Sequence, residues 1–189
     1  SLSVFRLSIP DNCPLWASKI ALKGEKATWL HKDEPEFADF AYLKTATDFK
    51  TGTLIIDIDK PVADTIEAII LSTLNAPVPN LIIKNRANKH VQLVYCLKNW
   101  VCIDTSNAKG NYSAKAHSFY KALKRHLNAI FGGDDAYHNF IAKNPFCEQW
   151  DVIGMRSASY EMYELARISE LEVKSTTFIE RLQSKQTDK

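Results

Sequence analysis

Leu54-Ile55-Ile56-Asp57-Ile58-Asp59 is the stretch on which the fold turns. Three consecutive aliphatic residues, then strict alternation, predict a strand running from Thr53 to Asp59 after the Thr51-Gly52 turn. Residues two apart on a strand face the same way, so Asp57 and Asp59 project together, opposite Ile56 and Ile58. Two carboxylates that close repel each other unless a cation sits between them. A hard divalent ion such as Mg²⁺ or Mn²⁺ suits the pair, with phosphate oxygens completing its shell. The alternative is a wet edge strand that carries two acids by chance. The aliphatic run leading into them favours a buried strand.

Downstream of Pro61, the spacing of Val62, Ile66, Ile69 and Ile70 predicts a helix over Val62–Leu74. Leu81–Arg86 and His90–Leu97, joined by Ala87-Asn88-Lys89, predict a β-hairpin, with a further strand or bend at Val101–Asp104. A polar loop, Thr105–Tyr112, leads to an amphipathic helix over Ser113–Phe131, closed by Gly132-Gly133. Asp134–Trp150 reads as loop, Glu161–Leu171 as helix and 174–189 as a polar tail. Upstream, 14–30 predicts a short helix or helix plus strand, and 31–52 an acidic, aromatic loop with some helix. The β-α-β-β-α order predicts an α/β (α+β) fold with a mixed or antiparallel sheet and helices on one face, as in ferredoxin-like and RNA-recognition-motif (RRM)-like cores.

The composition is that of a globular protein, with 189 residues, 46% hydrophobic and 24% charged. No apolar run is long enough to span a bilayer, and no charged and apolar leader opens the chain, so a cytoplasmic protein is expected. Four separated cysteines (13, 96, 102 and 147) form neither a disulfide framework nor a zinc pattern and are expected as free thiols. The net charge of +2 conceals a split: residues 31–69 carry nine acids and four lysines, whereas 80–132 carry nine bases and one acid. That layout suits a metal site beside a surface for nucleotide or nucleic acid, although a solvated charged surface would look the same.

Around the carboxylate pair stand further candidates. His90 and Gln92 share one face of the hairpin, opposite Val91, Leu93 and Tyr95. Lys84, Arg86 and Lys89 cluster nearby and could cradle a triphosphate, with His90, beside the carboxylates, as nucleotidyl transfer requires. Asp134 and Asp135 follow the glycine pair and are either a helix exit or a third carboxylate. Lys143-Asn144-Pro145 with Trp150 is either a turn above a core tryptophan or a lysine and an asparagine beside substrate.

The ordered set Ile56-Asp57-Ile58-Asp59, Asn85-x-x-Asn88-Lys89-His90, Gly132-Gly133-Asp134-x-Ala136-Tyr137, Lys143-Asn144-Pro145 with Trp150, and Tyr163-Glu164-Leu165 resembles the Replicase family of plasmid replication initiators, in the archaeo-eukaryotic primase superfamily. The resemblance covers about 53–166. It implies an RRM-like primase catalytic core with an N-terminal α/β module over 1–52, making 1–166 the catalytic domain and 167–189 a helical or linker tail. It implies a DNA-dependent primase/polymerase that uses Mg²⁺ or Mn²⁺ to join nucleoside triphosphates into a primer on template or origin DNA, with a host DNA polymerase as a further partner. Asp57, Asp59 and Asp134 match the family's metal ligands. Asn88, His90, Lys143 and Asn144 match its nucleotide contacts. This chain departs from the family in three places: Lys89 replaces a glycine, Gln92 a second histidine and Asp135 a proline, which leaves Asp134 and Asp135 as alternatives for the third carboxylate. The chain opens on Ser1 and is expected to be the catalytic piece of a longer initiator.

Two other functions compete. A rolling-circle initiator endonuclease would use His90 and Gln92 on a metal and Tyr112, in Tyr112-Ser-Ala-Lys115, as nucleophile. It leaves the two aspartates unexplained. A non-enzymatic RRM-like nucleic-acid-binding module would present aromatic residues on its central strands, where this chain presents Asp57, Asp59, His90 and Gln92.

Overall fold

A computed structural model describes residues 1–105, 113–138 and 140–171. The expected loop 105–112, beyond its first residue, and the polar tail lie outside the described residues. In chain order the elements are α1 (Leu2–Leu7), β1 (Asn12–Trp16), β2 (Thr28–His31), β3 (Tyr42–Lys44), β4 (Lys50–Ile58), α2 (Ile66–Ser72), β5 (Leu81–Lys84), β6 (Val91–Cys102), α3 (Ala114–Phe131), β7 (Ile141–Lys143), β8 (Asp151–Gly154) and α4 (Met162–Ile168).

The strands form two antiparallel four-stranded sheets, β2-β1-β3-β7 and β4-β6-β5-β8. In the second sheet β6 lies between β4 and β5, the split β-α-β arrangement of an RRM-like core. β8 joins on the β5 side and leaves β4 at the edge. This sheet is covered on both faces. Leu54, Ile56, Ile58, Leu93, Tyr95 and Leu97 pack against Ile66 and Ile70 of α2, Leu123 and Leu127 of α3, and Leu165 of α4. Ile55, Leu81, Ile83, Val94 and Cys96 pack against Cys13, Leu15, Leu43 and Ala142 of the first sheet. The result is three layers: helices, central sheet and N-terminal sheet. Consecutive residues of the central strands therefore enter different cores, and each fully buried aliphatic side chain contributes about 1.5–3 kcal/mol over exposure.

Several elements differ from the sequence expectation. The short helix, or helix plus strand, expected over 14–30 is a hairpin, β1 against β2, with only a 3₁₀ turn at Ala21–Lys23 in place of the helix. Cys13 and Leu15 point into the core at a period of two, and pairing with both β2 and β3 satisfies the backbone. The 31–52 segment holds a 3₁₀ turn at Pro35–Asp39 and strand β3. β4 begins at Lys50 rather than Thr53, with a register shift around Gly52. A Cβ on Gly52 would fall 2.5 Å from the Ser8 carbonyl oxygen and 2.9 Å from the Trp100 ring. The expected element at 101–104 is the end of β6, where Cys102 pairs with Lys50. α2 starts four residues late because the Val62 and Ala63 amides donate across to the Lys89 carbonyl at 3.0 and 2.9 Å. β7 lies where the sequence pattern suggests loop; three residues are too few to show a period, and pairing with β3 makes it a strand.

Helix α3 follows its sequence closely. Ser113 Oγ accepts the Ala116 amide at 3.2 Å, and Gly132 ends the helix at φ 67°. Gly133 then passes so close to the core that a Cβ would meet Asn128 Oδ1 at 2.5 Å and Ile56 Cγ2 at 2.7 Å. The next amide, of Asp134, donates to the Asp57 carbonyl at 2.7 Å and covers the open edge of β4. Gly133→Ala is expected to destabilise the fold by about 1–3 kcal/mol through overpacking, read as a lower urea midpoint with an unchanged m-value.

Candidate functional site

At the end of β4 the aliphatic row facing the N-terminal sheet, led by Ile55, gives way to Asp57 and Asp59. They open into a cleft of about 150 Å³ between the two sheets, which Lys19, Tyr42, Asn88, His90, Tyr137 and Lys143 also line. Asp57 stands opposite Gln92 on β6, and Gln92 Oε1 accepts the Lys143 amide at 2.8 Å, tying the central sheet to β7. β4 is thus an edge strand, yet the Asp57 side chain is only 14% exposed.

Burial pushes the Asp57 carboxyl above its usual range, and Asp59 and Asp134 add to the rise; Lys143 and a Gln92 hydrogen bond oppose it. Burial lowers the Lys143 ammonium, and Asp57 opposes that shift. The two charges face each other at 3.8 Å, too far for a hydrogen bond, and Asp57 Oδ1 is buried without a hydrogen-bond partner. Asp59 Oδ1 lies 3.1 Å from His90 Nδ1. The hairpin turn holds His90 in place: its amide donates to Asn88 Oδ1 at 3.0 Å, and Asn85 Oδ1 accepts the Ala87 amide at 2.9 Å. Lys89 sits at φ 62°, left-handed backbone that glycine would occupy without strain.

The remaining predicted residues are divided among three places. Asp134 docks at the end of β4, near enough to act on Asp57, and its Oδ1 accepts the Ala136 amide at 2.8 Å. Asp135 is exposed and turned away, with Oδ1 on Asn128 Nδ2 at 2.9 Å. Lys84 and Arg86 do not line the cleft. Lys84 shares the helix-facing side of β5 and pairs with Glu67 of α2, while Arg86 pairs with Asp151 at 2.7 Å. Asn144 is fully buried and committed to structure: Nδ2 donates to the Phe37 and Phe40 carbonyls at 2.8 and 2.9 Å. Trp150 Nε1 donates to the Ala41 carbonyl at 2.8 Å, so Asn144 and Trp150 clamp the 37–41 segment while Lys143 faces the cleft.

Sequence reasoning misses Lys19, Tyr42 and any role for Tyr137. Lys19 comes from a segment whose pattern suggests helix, and only the packing of the two sheets brings it to the cleft. The rolling-circle alternative requires Gln92 as a ligand, but its Oε1 is already taken by the Lys143 amide. Tyr112 lies outside the described residues. Among the described residues no three His, Cys, Asp or Glu side chains gather into a ready ligand group. The carboxylate pair nevertheless fits a divalent ion that keeps waters and takes its remaining oxygens from phosphates, and Asp57 Oδ1, which accepts no hydrogen bond, is the atom such an ion would satisfy.

Lys143→Met leaves Asp57 buried without its cation and raises the Asp57 pKa further. A carboxyl whose folded pKa lies above its unfolded value stabilises fully below the unfolded value and loses that contribution as pH rises through the folded one. Urea unfolding is expected to show a loss on the order of 3 kcal/mol near neutral pH that shrinks toward about pH 4. Lys89→Gly removes left-handed strain and is expected to stabilise by about 0.5–1 kcal/mol, seen as a raised melting temperature.

Among the described residues no helix is long and apolar enough to cross a membrane. No curated protein sequence matches the chain. Among solved structures, the AEP domain of the cyanophage S-2L primase-polymerase (PrimPol) superimposes with a TM-score of 0.56 at 13% identity, over 88% of this chain and 93% of that one. At that identity the likeness is one of fold. The model of the Replicase family matches residues 18–169, which takes in the strands from β2 to β8, all the cleft residues and α4. The chain therefore belongs to the Replicase family, on a fold it shares with a primase-polymerase AEP domain.

Proposed function

We propose that residues 1–166 are the catalytic domain of a plasmid replication initiator, which joins nucleoside triphosphates into a short primer on template DNA at the origin. Family membership supports a role in replication, and the shared fold supports the layout of the site. The observation that carries the reading is the Asp57/Asp59 pair, side by side in the cleft, with Asp57 Oδ1 buried and without a hydrogen-bond partner. A buried acceptor left in that state costs about 1–3 kcal/mol, more for a charged one, which is tolerable where a ligand is meant to complete it.

Asp57 and Asp59, with Asp134 adjoining, would hold Mg²⁺ or Mn²⁺. Bound there, the ion supplies neutralisation of phosphate charge and activation of the primer hydroxyl. Lys19 and Lys143 place two positive charges on the same cleft for the triphosphate, with Asn88 and His90 as the polar contacts on the hairpin side. Asp59 fixes the His90 ring through Nδ1, and Gln92 fixes the Lys143 backbone, so these groups are positioned before substrate arrives. Lys84, Arg86 and Asn144 have no part in this reading, because their side chains are engaged elsewhere. The primer end would pass to a host DNA polymerase in the cytoplasm.

Primer synthesis is assayed with nucleoside triphosphates and Mg²⁺ or Mn²⁺ on a single-stranded origin template. The double substitution Asp57→Ala plus Asp59→Ala is expected to lower the rate by about 10³-fold or more. Activity that survives it rejects the mechanism. A covalent 5′-phosphotyrosine adduct with origin DNA, absent in Tyr112→Phe, would favour the endonuclease reading instead.

A further inference from the structure

Helix α3 buries Tyr120, Leu123 and Leu127 and turns its other side outward. It carries Lys115, Lys121, Lys124 and Arg125 and no acid. None of these four bases joins an ion pair among the described residues; the lysines and arginines that do pair all lie elsewhere. Lys121 and Arg125 are both exposed and four residues apart, so they repel each other on one helix face. In a chain with 24 bases and 22 acids, that arrangement is a cost with no compensating acid on the helix itself.

Beside the helix runs a hollow of about 380 Å³, lined by Lys121, Lys124, Arg125, Asn128, Asp135 and His138. Its one acid, Asp135, is held by Asn128 Nδ2. A second hollow of about 400 Å³ shares Lys121, Lys124 and His138 and continues past Phe140 to Asp48 and Asp104, where the positive stretch ends. Asp48 is itself paired with Lys44 at 3.1 Å. At the other end Lys124 Nζ donates to the Tyr137 carbonyl and lies 4.7 Å from the Tyr137 ring, and Tyr137 also lines the Asp57 cleft. Tyr137 thus stands between the positive groove and the acidic cleft.

We propose that the groove along α3 is the track of a single-stranded template: Lys121 and Arg125 hold its phosphates, and the strand passes over Tyr137 into the cleft. This deepens the proposed polymerase function and rests on it for the strand's destination. Charge complementarity selects a polyanion. The rings of His138 and Phe140 on the groove wall offer stacking surfaces to unpaired bases, which a duplex keeps enclosed.

The test is fluorescence anisotropy with labelled oligothymidylate over a salt series, using the 189-residue chain. Lys121→Glu plus Arg125→Glu is expected to weaken binding by about tenfold or more. The plot of log affinity against log salt should flatten by about 1.4, or about 0.7 for each phosphate no longer neutralised. Lys121→Gln plus Arg125→Gln, with an unchanged melting temperature, is expected to show the same flattening with a smaller fall in affinity, which separates the missing charges from misfolding. Unchanged affinity and slope in both variants, or tighter binding to duplex than to single strand, overturns the track. If the α3 variants lose the strand while the wild type makes no primer, the track stands and the polymerase reading falls. If primer synthesis depends on Asp57 and Asp59 yet the α3 variants bind as wild type, the track alone falls.

Discussion

The central sheet is buried on both faces, and most of the structure follows from that constraint. A strand covered on two sides needs apolar residues at every position, and Leu54-Ile55-Ile56, Leu81-Ile82-Ile83 and Leu93-Val94-Tyr95-Cys96-Leu97 supply them. One parity packs against three helices and the other against the N-terminal sheet. Where the second cover stops, at the end of β4, the same parity that carried Ile55 carries Asp57 and Asp59. The site is therefore a seam between two sheets, and its carboxylates inherit the depth of a core position.

That depth sets the electrostatics. Asp57 bears a desolvation cost that Lys143 offsets only in part, since 3.8 Å brings charge compensation without a hydrogen bond. The neighbouring polar groups are committed to fixed partners: Gln92 to the Lys143 amide, Asn88 to the His90 amide, Asn144 to the 37–41 backbone. The cleft thus keeps its scaffold satisfied and leaves one buried carboxylate oxygen, Asp57 Oδ1, without a hydrogen bond.

The basic half of the sequence divides in three dimensions. Lys84, Arg86, Lys89 and Lys98 pair with Glu67, Asp151, Asp64 and Glu161, acids that all come from outside their own stretch of chain. Lys115, Lys121, Lys124 and Arg125 of α3 have no such carboxylate partners among the described residues. A run of positive charge in sequence thus becomes an ion-paired hairpin and a helix whose bases form no ion pair among the described residues.

Sequence alone determined the elements with long, clean periods: β4, the hairpin, the amphipathic α3 and its glycine exit. It also determined that Asp57 and Asp59 share a face, because strand parity is a local property. Cys13, Leu15 and Ile141-Ala142-Lys143 became strands only through pairing, since a short segment takes its conformation from the partner that satisfies its backbone. Which cations face the carboxylates was also decided by tertiary structure. Lys84 lies near Asp57 in sheet order yet points to the other layer, while Lys19 and Lys143, far away along the chain, meet it across the seam. Parity and period are written in neighbouring residues; proximity across a seam depends on how two sheets stack, and no local pattern encodes it.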